Sequence, residues 1–212
     1  YDGTDTAVVS GGVLGGVVSG DSVTLNQAGS FSQANVGNGL AITLTNYLTG
    51  NSASNYTLTQ PTGLTADITP KALTVTGAAV ANKVYDATNT ASFTAGSLSG
   101  VVSGDTVTLT QAGTFSQSNV GTSLAVTAAD TIAGASAGNY TLTQPTGLAA
   151  NITAKALTVA GTTVASKTYD GTNVATITGG QLQGLVATDV SNIGLVQSAS
   201  FASINAGSAV TV

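Results

Sequence analysis

The sequence predicts an all-β protein built from tandem small antiparallel β-sandwiches, Ig-like in appearance, with almost no helix. Apolar residues alternate with threonine at a period of two, as Val107 and Leu109 do in the stretch from Asp105 to Thr110. No window combines i, i+3, i+4, i+7 apolar spacing with a cap, so helices are not expected. Tyr-Asp recurs at residues 1, 85 and 169, a constant spacing of 84 residues. The chain is therefore a repeat array of half-buried strands.

The first two copies show how strictly the repeat is kept. Residues 1–84 align with residues 85–168 without a gap, and 53 of the 84 positions are identical. The third copy stays in register to Asp189 and then gains two residues, because Phe31 and Phe115 differ by 84 positions whereas Phe115 and Phe201 differ by 86. We expect one shared fold, with a longer loop or a bulge at the insertion.

The middle copy shows the expected order of elements. Between the strands lie turn sequences at residues 102–105, 111–113, 119–121 and 144–147, which are rich in Gly, Asn, Asp and Pro. The alternating stretches predict strands at residues 90–94, 106–110, 114–117, 124–128, 140–143 and 148–153.

The copy boundaries follow from a change of parity along the chain. The apolar positions Leu148 to Ile152 are even-numbered, whereas Leu157 and Val159 are odd, so the strand has to be redirected near Lys155. We predict three domains: residues 1–70 (repeat 1, lacking its first strand), 71–154 (repeat 2, complete) and 155–212 (repeat 3, lacking its last strands). The linkers between them are so short that neighbouring domains should touch in a fixed, extended arrangement.

The composition excludes several classes of function. The chain has four Lys and no Arg, Cys, His or Glu, and its net charge is −5. It lacks the basic surface that binds nucleic acid or anionic membranes, and no apolar run of about 18 residues is long enough for membrane insertion. Because 42% of the residues are hydrophobic, disorder is disfavoured, and the core should consist mainly of small aliphatic residues.

The Tyr-Asp motif and the scattered acids are the best candidates for a site. We interpret the motif as a packed Tyr followed by an Asx-turn rather than a sugar or metal contact, since Ala87 replaces its Gly in the middle copy. Acidic positions also change between copies: Asp67 aligns with Asn151, and Asn46 with Asp130. We therefore expect no metal site, with Asp21 and Asp105 capping turns before strands.

No catalytic arrangement is present, so we expect neither an enzyme nor a cofactor. Without His, Cys or Glu, no Ser, Thr, Tyr or Lys lies in a recognised nucleophile setting. Asn55, Asn139 and Asn151 fit the glycosylation sequon, and whether they carry sugar is left open. An isopeptide bond from a lysine to an asparagine would be another covalent option in a cysteine-free domain.

The combined motifs resemble the YDG-type repeat of large bacterial surface proteins related to filamentous haemagglutinin. They run in order from Lys71-Ala-Leu-Thr-Val through Tyr85-Asp86, Val102-Ser-Gly-Asp, Phe115-Ser-x-x-Asn-Val-Gly and Gly138-Asn-Tyr-Thr-Leu. Ala87 and Ser54 depart from this pattern, at glycines that we expect to matter only for turn geometry.

The resemblance implies a secreted or cell-surface protein, often exported by a two-partner system, and a structural role in a fibre or adhesin stalk within a surface filament or biofilm. The expected partners are neighbouring repeats of the same chain. Identical chains in a filament remain open as further partners. The alternative function is a binding module whose exposed loops recognise a glycan or a host protein.

Overall fold

A computed structural model describes all 212 residues, and it contains strands and three short 3-10 turns but no α-helix. The all-β prediction is confirmed. The 3-10 turns span Ala53–Asn55, Ala137–Asn139 and Ala187–Asp189. In residues 1–70 the strands are β1 Thr6–Ala7, β2 Thr24–Asn26, β3 Gly29–Phe31, β4 Gly37–Leu44, β5 Tyr47–Thr49 and β6 Thr65–Ile68.

The middle copy contains the longest series of strands. They are β7 Lys71–Val80, β8 Lys83–Val84, β9 Phe93–Ser99, β10 Thr108–Thr110, β11 Gly113–Phe115, β12 Gly121–Ala128, β13 Thr131–Ala133, β14 Tyr140–Thr143 and β15 Leu148–Thr153. Residues 155–212 add β16 Thr158–Val164, β17 Val174–Ala175, β18 Ile177–Gln183 and β19 Ala199–Ser200. The 84-residue period is visible in the elements themselves, since β2 to β5 recur as β10 to β13 with every boundary shifted by 84.

The chain forms two compact units, and the first comprises residues 1–80, 92–113 and 127–148. It holds a four-stranded sheet of order β1-β3-β4-β6, the pairs β2-β5 and β10-β13, and a three-stranded sheet of order β14-β7-β9. Most pairs are antiparallel, as expected. The exception here is β14, which runs parallel to β7 with Tyr140 opposite Lys71.

The second unit comprises residues 81–91, 114–126 and 149–212. It contains the antiparallel pairs β16-β18 and β17-β19, and the parallel pairing of β15 with β8, in which Ile152 lies opposite Lys83. The sheet order β11-β12-β15-β8 completes the topology. Repeat 2 contributes residues to both units, and the division into domains 1–70, 71–154 and 155–212 stays a prediction.

Some strand positions differ from the sequence prediction. The strand expected at residues 90–94 begins only at Phe93, and Thr90 forms an isolated bridge to Thr114. The alternating pattern did not indicate β13. This strand is short and is held in place by its pairing with β10, which is a tertiary effect that the local sequence does not encode.

The core is thin and consists largely of small side chains. The largest fully buried side chains are Phe115, Leu73 and Ile152, and the other buried apolar residues include Ala7, Ala91, Ala150 and Ala175. Leu73 lies in β7, whose register shifts between Thr76 and Ala79, where Gly77 takes a φ of 66°. The shift is a bulge, and glycine permits its left-handed backbone.

Candidate repeat-to-repeat interface

The backbone of Tyr1 is hydrogen-bonded to Thr69, near the end of repeat 1. Its backbone nitrogen donates to the Thr69 carbonyl over 2.8 Å, and the next residues form an Asx-turn in which the Thr4 N–H donates to Asp2 Oδ1 over 2.9 Å. Hydrogen bonding to that Thr4 N–H lowers the pKa of Asp2. The Asx-turn predicted for this motif is therefore present, and it follows directly on Tyr1.

The Tyr1 ring packs against residues of repeat 2. Its hydroxyl donates to Asp105 Oδ2 over 2.8 Å, and its ring lies edge-on to Tyr140, with centroids 5.4 Å apart and an interplanar angle of 79°. Tyr140 is 6% exposed, and its hydroxyl also donates to Asp105 Oδ2 while accepting from the Val102 N–H over 2.9 Å. One carboxylate therefore holds two phenols from two repeats.

The electrostatics of this cluster follow from the shared carboxylate. Hydrogen bonds from Tyr140 and from Tyr1 lower the pKa of Asp105, because both stabilise its charged form. The hydrogen bond to Asp105 raises the pKa of Tyr1, and burial followed by the same carboxylate raises the pKa of Tyr140. Near neutral pH the arrangement is one anion with two neutral donors, which is the state in which the cluster binds most tightly.

An asparagine adds a second polar contact between the same two repeats. Asn139 is 8% exposed; its Nδ2 donates to Asn35 Oδ1 over 3.0 Å, and its Oδ1 accepts from the Val36 N–H over 3.0 Å. A buried amide bonded at both ends requires one particular orientation of its partners, since leaving either end unpaired would be costly. The contact therefore fixes the relative orientation of the two repeats as well as stabilising their association.

The same type of contact recurs 84 residues further along the chain. The Tyr85 N–H donates to the Thr153 carbonyl over 2.9 Å, and the Thr88 N–H donates to Asp86 Oδ1 over 2.9 Å in an Asx-turn. Asp189 of repeat 3, the counterpart of Asp105, lies near the Tyr85 hydroxyl, and hydrogen bonding to that carboxylate raises the pKa of Tyr85. The Tyr and Asp of the first junction thus recur as residue types at the second, where Asp189 raises the pKa of Tyr85.

Two lysines bind the Asp and Thr side chains of the Asx-turns in repeats 2 and 3. Lys83 Nζ lies 2.7 Å from Asp86 Oδ1 and also donates to Thr88 Oγ1, and Lys167 makes the corresponding contacts with Asp170 and Thr172. The hydrogen bond from the lysine, with those from the threonine, lowers the pKa of each aspartate to about 2. These amines bind aspartate and threonine rather than the asparagine that an isopeptide bond requires.

The structure corrects the role assigned to Asp21 and Asp105. Their backbones do close the expected turns, since the Asp105 N–H donates to the Val102 carbonyl over 3.1 Å. Their carboxylates, however, accept from tyrosine hydroxyls instead of capping the turn, and Asp21 Oδ2 accepts from the Tyr56 hydroxyl over 2.5 Å. A partner 35 residues away cannot be inferred from a local turn motif. The recurrence of the Asp and Tyr pair in both copies was the available signal.

The sequon asparagines also differ in their surroundings. The Asn139 side chain is engaged in the repeat contact, and Asn151 Oδ1 accepts from the Ser123 N–H over 2.7 Å, whereas Asn55 is exposed. Sequence reasoning missed Asn35 and Asn139 as interface residues. The signal lay in the recurring Asn-Val-Gly segment that contains Asn35 and Val36, which was predicted only as a turn.

Other features of the structure bear on the class of site. No group of three or more acidic side chains lies together in an arrangement that could hold a metal ion. No helix has the length and apolar character needed to cross a bilayer. The only aromatic pair is Tyr1 with Tyr140.

Comparison with protein families gives one result along the whole chain. The model of the YDG domain matches three times, at residues 1–63, 69–147 and 153–212. Comparisons with the curated proteins and with the solved structures give no match. The three matches follow the three sequence repeats and together cover nearly all of the chain. The protein therefore belongs to the YDG-domain family, as a tandem array of three of its repeats.

Proposed function

We propose that this chain is a structural segment of an extracellular bacterial fibre or adhesin stalk, of the kind found in proteins related to filamentous haemagglutinin. Its role is extension: tandem repeats hold a distant end away from the cell surface. The observation that carries the proposal is the contact of Tyr1 with Asp105 of the next repeat, whose residues recur 84 positions along the chain as Tyr85 and Asp189. Export by a two-partner system belongs to the same proposal.

In a tandem array, such a contact adds stability to each repeat and fixes its orientation. Each repeat has a thin core, so contacts with neighbours add a substantial part of its stability. A half-buried carboxylate with two donors and a buried amide with two partners allow only one orientation of the two repeats. If further copies use the same contact, every copy adds the same step along the fibre, which suits a spacer.

The aromatic residues favour this role over glycan recognition. A sugar-binding surface normally presents exposed aromatic rings together. Here the only aromatic pair lies in the contact between repeats, where Tyr140 is 6% exposed. The exposed Tyr47 and Tyr169 do not form such a pair.

The proposal is tested by lengthening a junction. Insertion of six Gly and Ser residues after Thr153 should leave the secondary structure intact but broaden the distribution of end-to-end distances in small-angle scattering, because the short linker is lost. The matched control is the same insertion after Gly63, which lies in an exposed loop within repeat 1 and has a φ of 76°. This control should scatter like the parent. A parent chain that already scatters as freely moving beads would contradict the spacer function.

The cellular location is tested separately. With the full reading frame expressed in a Gram-negative host that carries a matching export partner, antibodies against these repeats should label intact cells, and external protease should remove the signal. Labelling that appears only after the cells are permeabilised would contradict the extracellular location.

A further inference from the structure

The first and last segments of repeat 2 pair with each other, and they run in parallel. β7 begins at Lys71, where the chain enters the repeat, and it pairs over four residues with β14, near the end of the repeat. β8, which follows β7, pairs in the same direction with β15, which ends at Thr153. Further repeat sequence precedes and follows these segments. Repeat 2 is thus closed by two parallel strand pairs.

The parallel direction decides how tension along the chain acts on β7 and β14. Such a pull draws β7 towards Pro70, beyond its N-terminal end, and draws β14 towards Gln144, beyond its C-terminal end. Because the two strands point the same way, the pulls are opposite and slide one strand past the other. Hydrogen bonds between parallel strands are evenly spaced, so they share this load and have to yield together. Strands pulled from one end instead lose their bonds one after another.

Side chains anchor the β7–β14 pair against sliding. Leu73 is fully buried, and the half-buried Leu142 lies opposite it in the ladder. At the start of β14 the Tyr140 hydroxyl donates to the Asp105 carboxylate. A shift of β7 by one residue would put Thr74 in the place of Leu73, so sliding would cost buried apolar area.

The β8–β15 pair is loaded in the same sense, and polar contacts extend it on both sides. The pairing itself covers Ile152, which is 1% exposed, and Thr153. The Asn151 N–H donates to Asn82 Oδ1 over 2.7 Å, and the Tyr85 N–H donates to the Thr153 carbonyl over 2.9 Å. Each parallel pair therefore contains one of the three largest fully buried side chains of the protein.

We propose that repeat 2 is a load-bearing element, in which the two parallel strand pairs act as clamps that keep the repeat folded under tension. Tension enters at Pro70 and leaves at Ala154, which are equivalent positions in consecutive copies. The inference rests on the proposed stalk function, because a stalk is pulled whenever its distant end is held. It goes beyond that function, since a spacer needs only length and stiffness. Resistance to force depends on the rate of unfolding rather than on the free energy of unfolding.

The first experiment changes only the direction of the force. The chain has no cysteine, so handles for optical tweezers can be attached at introduced cysteines. Pro70→Cys with Thr146→Cys pulls β7 and β14 from opposite ends, whereas Pro70→Cys with Gly138→Cys pulls them from the same end. All three sites are exposed, and an added Cβ at Gly138 meets nothing within 4 Å. The shared Pro70→Cys makes any effect of that substitution common to both.

Pulling from opposite ends should require about two to four times the force at the same loading rate, because four residue pairs share the load. Circular dichroism should show both double variants folded like the parent. Equal forces in the two directions, or a greater force when the strands are pulled from the same end, would overturn the proposal.

The second experiment separates resistance to force from thermodynamic stability. Handles at Pro70→Cys and Ala154→Cys apply tension at the two ends of repeat 2, and complete unfolding should release about 250–300 Å of chain. In this background Leu142→Ala should lower the unfolding force. Leu109→Ala changes a half-buried leucine of the antiparallel β10–β13 pair and should leave the force unchanged. Urea unfolding should show a loss of stability in both variants.

An unfolding force that is unchanged in Leu142→Ala, or that falls equally in Leu109→Ala, would overturn the proposal, because the parallel pair would then not carry the load. Either result leaves the spacer function standing, since that function requires no resistance to force and is tested by scattering after the Thr153 insertion. Scattering as freely moving beads would contradict the spacer function, whereas the difference between the two pulling directions tests the clamps alone.

Discussion

Tyr56 and Tyr140 occupy the same position in consecutive repeats, yet their surroundings differ. Both donate to the aspartate of their own repeat, Asp21 or Asp105, and both accept a backbone N–H. Tyr140 is also covered by Tyr1 of the preceding repeat and is 6% exposed, whereas Tyr56 is only half-buried. The residues after Tyr140 form β14, but those after Tyr56 form no strand. Identical local sequence therefore acquires its structure from its neighbours.

The largest expected effect concerns the strand that makes this difference. Leu73→Ala should lower the free energy of unfolding by about 2–5 kcal/mol, since Leu73 is fully buried. Leu157→Ala, at the matching position of repeat 3, should cost less than about 1 kcal/mol because Leu157 is half-buried and precedes a strand with one neighbour. Urea unfolding of both variants provides the comparison. Equal costs would show that β7 and β16 are equivalent in solution.

The next effect tests the two tyrosines directly. Tyr140→Phe should destabilise the protein by about 1–3 kcal/mol, because Asp105 loses a donor and the Val102 N–H loses its acceptor in a buried setting. Tyr56→Phe removes the same bonds at a half-exposed site and should cost less than about 1 kcal/mol. Thermal unfolding of the two variants under one set of conditions measures the difference. If Tyr56→Phe proves the more costly, the preceding repeat contributes nothing to the site.

The sequence predicted correctly those features that depend on interactions between residues close together in the chain. Alternation of Val and Leu with Thr predicted the β class, and the Asp-Gly-Thr and Asp-Ala-Thr turns formed as Asx-turns because their hydrogen bonds span two residues. The carboxylate of Asp105 could not be assigned in this way, because its partners are 35 and 104 residues distant. The sequence shows that Asp and Tyr recur, but not that they meet.

The cluster of Asp105, Tyr1 and Tyr140 should contribute to stability in a pH-dependent way. Because the folded pKa of Asp105 lies below its ordinary value of 3.8, its contribution is present above that pH and is lost as the pH falls through the folded pKa. The pKa values of Tyr1 and Tyr140 lie above 10.0, so their contribution is lost as the pH rises through the folded values. Melting temperature should therefore be flat from about pH 4 to 10 and fall outside that range.

Variants identify which carboxylates cause the fall in melting temperature at low pH. Asp86 and Asp170, with pKa values of about 2, lose their contributions over the same acid range. Asp105→Asn should flatten part of this fall in melting curves recorded from pH 2 to 5, and Asp86→Asn a separate part. If the fall in melting temperature below pH 5 is the same in Asp105→Asn as in the parent, the Asp105 carboxylate does not hold the two phenols.

A buried acid offers a further comparison between repeats. Asp130 is 5% exposed; its Oδ1 accepts from the Ala112 N–H over 3.1 Å, and its Oδ2 has no partner. Repeat 1 has Asn46 in this position, making the same bond to Ala28 over 3.0 Å. Asp130→Asn should stabilise the protein by about 1 kcal/mol, since a buried carboxyl with an unpaired oxygen is replaced by the amide that repeat 1 holds in this position. Chemical denaturation at pH 7 measures this, and a loss of stability would indicate an undetected partner for Oδ2.

The smallest expected effect concerns the third residue of the Tyr-Asp turn. Gly3 and Gly171 take φ values of 85° and 76°, and Ala87 takes 65° in the same turn. Left-handed backbone is strained for alanine but not for glycine, so Ala87→Gly should raise the free energy of unfolding by about 1 kcal/mol. Gly171→Ala imposes the same strain at an open position, where an added Cβ meets nothing within 4 Å, and should lower it by a similar amount. A higher urea midpoint for Ala87→Gly and a lower one for Gly171→Ala would confirm that turn geometry selects the residue at this position. A lower midpoint for both variants would mean that Ala87 is accommodated by contacts particular to repeat 2.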